Sequence, residues 1–291
     1  MTPLRDKMRA DLRLRNLSAG TSQQYIHHVA RFARHFHRSP ALLGTDEVRE
    51  WLLHEEARGL SASTRIVQHA ALKFLYDQTL GRPEVLATVP RPRRGTQARG
   101  VPLVREEVVA LLAAAEASPR TLAMVATLVD TGLRVSELCA LQTGDLDAAS
   151  GLLHVRKGKG DKPRIVGLQD DLLRILRAYW RATRPPGPWL FPAHRLCAPG
   201  KVDPVQPWDD RPLGADGFRR LLHGLRERAG LARKVTPHDL RRTYATWLVE
   251  AEVDLRVVQE LLGHESPETT ARYTAVRPEL IRKTPTPLSL L

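Results

Sequence analysis

Apolar residues near the start of the chain recur at the spacing of one helical face. This face comprises Tyr25, Val29, Phe32 and Phe36, which follow one another at intervals of four, three and four residues. Because an α-helix has about 3.6 residues per turn, side chains at these intervals lie on the same side. Thr21, with Gln24 three residues later, has the form of a capping box. We therefore expect an amphipathic helix that begins at Thr21.

Two further helices are predicted before residue 88. Thr45 precedes acidic residues at 46 and 47, which favour a helix N-terminus, and Val48 and Trp51 then face inward. Ser61 marks the start of the next helix, and residues 80–83 (LGRP) end it. The predicted buried stripe of this helix comprises Ile66, Val67, Ala70, Phe74 and Leu75. The pattern predicts a compact all-helical domain over residues 1–88.

Residues 89–101 differ in composition from both neighbouring segments. They contain prolines, glycines and four arginines but no acidic residue, which makes a poor core and a good linker. A solvated loop is one interpretation of this segment. The other is a basic strap along a phosphate backbone, in which Arg91, Arg93 and Arg94 contact DNA.

The second predicted domain, residues 102–291, combines helices with a small β-structure. The run PRTLAMVATLVDTG is apolar nearly all round, which predicts a central helix. Residues 152–156 and 163–168 are strand-like and flank turn residues, which predicts a β-hairpin. Residues 184–215 are rich in Pro, Gly and Asp and predict a long irregular insertion. Further helical patterns occupy residues 103–117, 171–183, 214–230, 237–252 and 254–263. We predict a mainly α fold, with a helical bundle followed by a mixed α+β domain.

The chain carries a formal net charge of +13, from 45 Lys and Arg against 32 Asp and Glu. A polyanionic partner explains this excess, and so does a GC-rich genome that favours arginine codons. Charge therefore only permits a nucleic-acid partner.

Other bulk features set the compartment that we expect. No apolar run approaches the roughly 18 residues of a membrane span. The N-terminus carries acids and no apolar core, so it resembles neither a signal nor a transit peptide. Cys139 and Cys197 form no CxxC pair, and we expect no thiolate metal site. We expect a cytoplasmic, nucleoid-associated protein without a membrane partner.

Two candidate catalytic cations lie near the central helix and the hairpin. Arg134 follows the central helix in TGLRVSEL, where an ion pair with Glu137 is the alternative role. Lys159 lies at the hairpin tip between two glycines, which let its ammonium group approach another surface, although a solvated turn lysine is the simpler alternative. Further basic residues are candidate DNA contacts: Lys157, Lys162, Arg164 and Arg242.

Two histidines and a second arginine follow later in the chain. His238 and Arg241 lie three residues apart at the start of a predicted helix, which places both side chains on one face. Thr236 is the candidate cap of this helix, and Pro237 takes its first position. A capping histidine and a surface arginine are the alternative. His264 follows Gly263, the expected C-cap of the preceding helix, where a histidine can serve only as a partner of the helix dipole.

Tyr273 is the tyrosine that packing explains least. Three of the five tyrosines fall on apolar helical faces: Tyr25, Tyr76 and Tyr179. Tyr244 lies six residues after His238, beyond the turn that presents the histidine, and we interpret it as a packing residue. Tyr273 instead follows the polar stretch ETTAR, which makes it the candidate nucleophile.

These six residues suit one reaction, the attack of a tyrosine on a phosphodiester. Two arginines can grip the phosphate oxygens, which gain negative charge in the transition state. A histidine can accept the proton of a phenol, whose free pKa is about 10. A lysine can protonate the departing 5′ oxygen. Fixed cations supply the electrostatic stabilisation, so the reaction needs no metal and no cofactor.

The order and surroundings of these residues resemble the tyrosine recombinase (phage integrase) family. The matching strings are TGLRVSELCAL, GKGDKPR, TPHDLRRTYATWL, DLRVVQELLGHESPETT and ARYTAV. The resemblance covers the whole chain and points to the two-domain members. It implies a SAM-like core-binding domain at 1–88, a basic linker at 89–101 and a catalytic domain at 102–291.

The resemblance also implies roles and partners. By it, Tyr273 would form a 3′-phosphotyrosyl bond, Arg134 and Arg241 would stabilise the transition state, and Lys159 would act as general acid. His238 would accept a proton or bind phosphate, and His264 would bind phosphate. The expected partners are double-stranded DNA with an inverted-repeat core site and three further copies of the chain, which exchange strands through a Holliday junction.

Two other functions remain open at this stage. One is a relaxase like the type IB topoisomerases, which works alone; the separate helical domain and the compact length count against it. The other is a silent DNA-binding protein with the same fold. The complete set of six residues disfavours that alternative, because DNA binding alone has no physical need for all of them.

Overall fold

The chain forms two compact units, Met1–Arg99 and Gly100–Leu291, each with its own hydrophobic core. The computed structural model describes residues 2–93, 101–156, 163–194, 196–198, 201–202, 208–263 and 284–290, with backbone alone at 196–198, 201–202 and 290. Within these ranges no helix is long and apolar enough to cross a membrane. The mainly helical fold with small antiparallel sheets agrees with the predicted class.

The described part of the first unit is entirely helical. Its helices are α1 (Pro3–Leu14), α2 (Ala19–Phe36), α3 (Thr45–Ala57), α4 (Ala62–Phe74) and α5 (Glu84–Ala87). A 3₁₀ turn at Pro40–Leu42 precedes α3, and a π-helical turn at Leu75–Thr79 continues α4. Fully buried side chains from several helices meet in the core, among them Met8, Phe32 and Tyr76.

Helix starts in this unit follow the capping residues, with one correction. The predicted starts of α3 at Thr45 and of α4 after Ser61 are confirmed. The predicted start of α2 at Thr21 is wrong, because Ser18 provides the cap. The Ser18 hydroxyl accepts a hydrogen bond from the Thr21 backbone N–H at 3.2 Å. The helix therefore begins at Ala19, earlier than the capping-box pattern indicated.

The predicted buried stripe of α4 is largely wrong. Leu75 is buried, but the other four members are only half-buried, whereas Gln68 is fully buried. Gln68 Nε2 donates a hydrogen bond to the buried carboxylate of Glu55 on α3 at 2.6 Å. A buried carboxylate requires polar partners. The need to satisfy Glu55 therefore turns a polar position of α4 towards α3.

The second unit is built around one central helix. Its helices are α6 (Arg105–Ala115), α7 (Pro119–Thr131), α8 (Val135–Cys139), α9 (Asp170–Thr183), α10 (Ala215–Arg228), α11 (Pro237–Glu250) and α12 (Leu255–Leu262). Its strands are β1 (Leu146–Asp147), β2 (Leu152–Val155), β3 (Arg164–Gly167), β4 (Pro192–His194), β5 (Leu196–Ala198), β6 (Lys201–Val202) and β7 (Trp208–Pro212). Two 3₁₀ turns complete the described elements, at Thr143–Asp145 and Leu288–Leu290.

Helix α7 is the central helix that the apolar pattern predicted. Every residue of α7 except Pro119 and Leu122 is buried, and α6, α9 and α11 pack around it. The helix ends at Gly132, whose φ of +60° is the left-handed conformation that glycine adopts most readily. The Tyr244 ring from α11 lies against Gly132, so this cap also allows two helices to approach closely.

A three-stranded antiparallel sheet, in the order β1-β2-β3, lies beside the helices. The predicted hairpin is confirmed, since β2 pairs with β3 over the whole length of both strands. Val155 pairs with Arg164, so the strands define both ends of the 157–162 connection, which lies outside the described residues. Strand β1 adds a short edge that the sequence did not predict.

The segment predicted as irregular, 184–215, contains paired strands instead. Strand β4 pairs with β7, and β5 pairs with β6, both antiparallel. The segment is also closed at its base: Leu213 N–H donates to the Phe191 carbonyl at 3.0 Å, and the buried Arg120 guanidinium bonds the Pro192 carbonyl. A high content of Pro, Gly and Asp therefore did not exclude paired strands, and β5 and β6 lie along the chain between the paired strands β4 and β7.

The described end of the chain packs against α7 and α9 of its own unit. Leu288 N–H donates to the carboxylate of Asp130 on α7 at 3.2 Å, and Gln169 Nε2 donates to the Thr284 carbonyl at 3.3 Å. Thr286 is buried in this contact. Burial raises the pKa of Asp130 to about 6.

Replacing Gly132 by alanine is expected to destabilise the second unit strongly. A Cβ at Gly132 would lie 2.3 Å from Cδ1 of Tyr244, whose ring is buried and cannot move aside. The left-handed backbone adds a penalty of roughly 1 kcal/mol, and overpacking adds about 2 kcal/mol. Urea denaturation of the full chain should show a loss near the sum of these two effects.

Gly230→Ala is the matched control. Gly230 has a similar φ of +68°, but no atom of the described residues lies within 4 Å of the position that a Cβ would take there. The Gly230→Ala variant should therefore lose only the backbone contribution to stability, about 1 kcal/mol. Equal losses for the two variants would show that the contact with Tyr244 is not tight.

Candidate active site

Three successive backbone carbonyls at the end of α12 each accept a hydrogen bond from an arginine. The last carbonyls of a helix have no partner within it and carry the negative end of the helix dipole, which favours cations. The three pairs are Arg164 Nε with Leu261, Arg241 Nη2 with Leu262, and Arg134 Nη2 with Gly263. The first and last measure 2.8 Å and 3.1 Å. The end of α12 thus gathers side chains from α8, β3 and α11.

Glu137, in the first turn of α8, holds the same three arginines from the other side. Its carboxylate accepts two hydrogen bonds from Arg164, at 2.8 Å and 2.6 Å, and one from Nη1 of Arg134 at 2.7 Å. Arg241 Nη1 lies 4.0 Å from Oε2 of Glu137. The Arg134 backbone N–H also donates to Oε2 at 2.8 Å, which caps α8.

The pKa of Glu137 reflects this environment. Burial alone would raise the pKa of its carboxyl group, but the hydrogen bonds from Arg164 and Arg134 outweigh burial and lower the pKa below its usual range. Glu137 is therefore ionised at neutral pH. Because the Glu137 side chain is almost completely buried, the arginines and not the solvent compensate its negative charge.

The cluster carries more positive than negative charge. Three guanidinium groups, from Arg134, Arg164 and Arg241, face one carboxylate, which leaves two positive charges. The side chain of Arg134 is 25% exposed, whereas those of the other two arginines are buried. Arg134 is therefore the arginine of the cluster that can bind an anion from solvent directly. A site of this kind suits a group that becomes more negative during a reaction.

Arg241 links two helix ends. Its Nη1 donates to the Gly132 carbonyl at the end of α7 at 2.7 Å, while its Nη2 bonds α12. Burial, together with the nearby charge of Arg134, lowers the pKa of Arg241 to about 10. Arg241 therefore keeps its proton at neutral pH.

His238 lies one turn before Arg241 on α11, at the exposed edge of the cluster. Thr236 caps this helix and Pro237 occupies its first turn, as predicted. Partial desolvation, followed by the charges of Arg242 and Arg241, lowers the pKa of His238. Its imidazole is thus held in the neutral form, which can accept a proton.

Arg164 occupies a place that its predicted role does not fit. We predicted a DNA contact, but the structure buries its guanidinium between Glu137 and the Leu261 carbonyl. The alternation along β3 explains this, because Arg164 and Val166 lie on the same buried face of the strand. The buried glutamate is the partner that makes this position possible for an arginine. Arg164 is therefore a structural member of the cluster.

Among the predicted catalytic residues, the structure brings together Arg134, Arg241 and His238. The other three, Lys159, His264 and Tyr273, lie outside the described residues. Two of them are close in sequence to residues that the structure describes. Lys159 belongs to the connection between the paired strands β2 and β3, and His264 directly follows Gly263, whose carbonyl accepts a hydrogen bond from Arg134.

The remaining candidate DNA contacts differ in their exposure to solvent. Arg91 and Arg93 are exposed in the first unit. Arg242 is half-buried and pairs with Asp239 at 3.1 Å. Arg94, Lys157 and Lys162 lie outside the described residues.

Four tyrosines are described, and each has a packing role. Tyr76 and Tyr179 are buried and donate hydrogen bonds to backbone carbonyls, and Tyr25 is half-buried with its ring edge against Phe74. Tyr244 is buried against Gly132, and burial, followed by the charge of Asp130, raises its pKa far above the usual range. The phenols of Tyr76, Tyr179 and Tyr244 are therefore buried away from a substrate in solvent.

Glu137 is the functional residue that sequence reasoning undervalued. It entered only as a possible partner for Arg134, whereas the structure makes it the shared anion of three arginines. Its position three residues after Arg134 predicted one pair. The other two partners come from distant elements, so local spacing could not reveal them.

Known protein families match both units of the chain. The profile of the Phage integrase family matches residues 102–279, and that of the Phage integrase N-terminal SAM-like domain matches residues 4–84. The protein y4qK of Sinorhizobium fredii is 35% identical over 293 residues, which cover 100% of this chain and 90% of the relative. Tyrosine recombinase XerA of Pyrococcus furiosus is 32% identical over 277 residues, covering 91% of this chain and 86% of the relative.

A solved structure has the same fold. It is a lambda integrase tetramer bound to a Holliday junction, with a TM-score of 0.70 and 20% identity. The match covers 91% of this chain and 74% of that chain.

Replacing Glu137 by glutamine is expected to destabilise the second unit by about 3 kcal/mol, because it leaves three arginines without their shared anion. The effect should depend on pH. A carboxyl whose folded pKa is lowered stabilises the fold above its unfolded pKa and loses this effect as the pH falls through the folded value. Urea denaturation should therefore show a stability loss in acid for the wild type that is smaller in Glu137→Gln.

Asp216→Asn is the matched control, since it removes an acid that pairs with Arg219 on the exposed surface of α10. Its cost should stay under about 1 kcal/mol. A loss for Glu137→Gln no greater than this would contradict a central role for Glu137.

Proposed function

The chain belongs to the phage integrase family, and we propose that it is a site-specific DNA recombinase that cuts and rejoins strands through a covalent bond to Tyr273. The observation that carries this proposal is the cluster of three arginines around one glutamate, with its surplus positive charge and the neutral His238 at its edge. A phosphodiester that gains negative charge on attack is the substrate group that such a cluster suits.

In the proposed first step, the Tyr273 oxygen attacks the scissile phosphorus. A 3′-phosphotyrosyl bond forms, the bond to the 5′ oxygen breaks, and a 5′ hydroxyl leaves. The 5′ hydroxyl of a partner strand then attacks the phosphotyrosyl bond and releases Tyr273. One phosphodiester replaces another, so the energy of the bond is kept and no ATP, metal or cofactor enters the balance.

The cluster members take different parts in this step. Arg134 reaches solvent and would bind the phosphate directly, while Arg241 would add its charge from the buried side. His238 would accept the phenolic proton or bind the phosphate, since its lowered pKa keeps the imidazole neutral. His264 would hydrogen-bond the phosphate, and Lys159 would protonate the departing 5′ oxygen.

Tyr273 is favoured as the nucleophile by its place in the family's motif and by the packing of the other four tyrosines. Its position in the sequence is also suitable. It follows Gly263, whose carbonyl bonds Arg134, by ten residues, so the chain between them is long enough to return to the cluster.

The proposal extends to domains and partners. Residues 1–88 would form the core-binding domain, 89–101 a basic linker and 102–291 the catalytic domain. The target would be duplex DNA with an inverted-repeat core site, bound by a tetramer that exchanges strands through a Holliday junction. The lambda integrase of the same fold is a tetramer bound to a Holliday junction. Phosphate contacts would come from Arg91, Arg93, Arg94, Lys157, Lys162 and Arg242. Such a protein would act at the nucleoid, in the cytoplasm.

A suicide substrate tests the nucleophile. The duplex carries the proposed inverted-repeat core site and a nick next to the cleavage position, so that the freed fragment diffuses away and the covalent complex accumulates. Tyr273→Phe should abolish this complex on a denaturing gel, because phenylalanine has no oxygen to attack phosphorus.

Tyr244→Phe is the control for that experiment. It removes the same hydroxyl from a buried ring and should leave covalent-complex formation within about twofold of the wild type, since a packing tyrosine keeps its shape. A covalent complex with Tyr273→Phe would refute the assignment. Relaxation of a supercoiled plasmid without the target site would favour the relaxase.

The pH dependence of cleavage tests His238. If the neutral imidazole is required, the rate should fall in acid only below pH 6.5, the ordinary pKa of histidine, because its own pKa is lowered. Single-turnover cleavage rates across the acid range measure this. The His238→Gln variant should cleave more slowly, and its rate should no longer fall in acid. An acid limb above pH 6.5 that disappears in this variant would contradict the lowered pKa.

A further inference from the structure

A cavity of about 670 Å³ opens between α2 and α3 in the first unit, away from every residue of the arginine cluster in the sequence. Helix α2 lines it with His27, Arg31, Arg34 and His35, which lie at intervals of four, three and one residues. Helix α3 adds Trp51, His54 and Arg58. Because these intervals fall on one side of each helix, the cavity is lined by two facing helical stripes.

The lining is basic, and the nearest acid is already occupied. Glu55 on α3 is buried and accepts hydrogen bonds from Arg31 at 2.9 Å, Arg58 at 2.8 Å and Gln68 at 2.6 Å. Three lining arginines and one glutamate leave two positive charges. Arg34 is exposed, and within the described part of the chain its Nε bonds the carbonyl of Ala30 on its own helix, so Glu55 does not explain its position.

Aromatic rings form one wall of the cavity. The His35 and His54 rings are 4.5 Å apart, and His54 stacks on Trp51 with an interplanar angle of 25° and a centroid distance of 5.8 Å. His54 is exposed, so this residue is accessible from solvent. The Trp51 ring is buried beneath this wall, and the Arg31 guanidinium lies 5.6 Å from the centre of the ring.

We propose that this cavity binds a nucleoside phosphate. Guanidinium groups such as those of Arg34 and Arg58 match the geometry of phosphate oxygens, and the exposed His54 ring offers a surface for a base. The volume lies within the range of roughly 300–1,000 Å³ that small-molecule sites occupy. The ligand is either a free nucleotide or an unpaired nucleotide of a DNA strand, which share this chemistry.

Equilibrium dialysis of the full-length protein with ATP tests the proposal without requiring cleavage of DNA. The wild type should bind ATP saturably. Arg34→Gln should weaken binding about tenfold, the loss expected for one charge-assisted contact, whereas Arg5→Gln on α1 removes an exposed charge outside the cavity and should change it by less than about twofold.

Further variants and probes separate the two halves of the ligand and its source. His54→Ala should weaken ATP binding but leave inorganic pyrophosphate binding unchanged, because it removes only the stacking surface. If a short single-stranded oligonucleotide displaces ATP, the source is a DNA strand; if it does not, the source is free nucleotide, and both results support the site. Absence of saturable ATP binding, or equal losses for Arg34→Gln and Arg5→Gln, would overturn it. Because the Tyr273→Phe variant should bind ATP as the wild type does, the result is independent of the recombinase proposal.

Discussion

The end of one short helix organises the catalytic unit. Helix α12 leaves its last carbonyls unpaired, as every α-helix does, and a buried helix end without partners is costly. Here three guanidinium groups from three different elements supply the missing donors. The buried guanidinium groups of Arg164 and Arg241, and the half-buried one of Arg134, would be more costly still without Glu137, whose carboxylate contacts all three. Neither the helix end nor the arginines could be buried alone, and together they fix α8, β3, α11 and α12 relative to one another.

The positive charge of this cluster lowers the stability of the fold but favours the binding of an anion. Surplus positive charge opposes folding, and the negative end of the α12 dipole and the exposure of Arg134 both reduce this cost. The same surplus is available to an anion without any rearrangement, since each arginine is already held by carbonyl and carboxylate oxygens. A site that is charged and ordered before its substrate arrives has little reorganisation left to do during the reaction.

Sequence patterns predicted the parts of this architecture that depend on local rules. Neighbouring residues determine the apolar surface of α7, the caps at Ser61 and Thr236, the end of α12 at Gly263 and the β2–β3 hairpin. The failures involve partners distant in sequence. Gln68 turns inward because Glu55 needs a donor, and Arg164 is buried because Glu137 and Leu261 accept its hydrogen bonds. Spacing along one element contains no information about such partners.

The closed base of the 192–212 insertion bears on how this chain can vary. Phe191 and Leu213 are hydrogen-bonded to each other, and Arg120 holds Pro192, so the insertion leaves and rejoins the core at nearly one point. The entropy of closing a loop between fixed ends grows only with the logarithm of its length, about 0.6 kcal/mol per doubling. The chain between β4 and β7 can therefore lengthen or shorten at little cost to the core, whereas Pro192 and Trp208 are tied to it by their contacts with the buried Arg120. This makes the insertion a natural place for related chains to diverge in size.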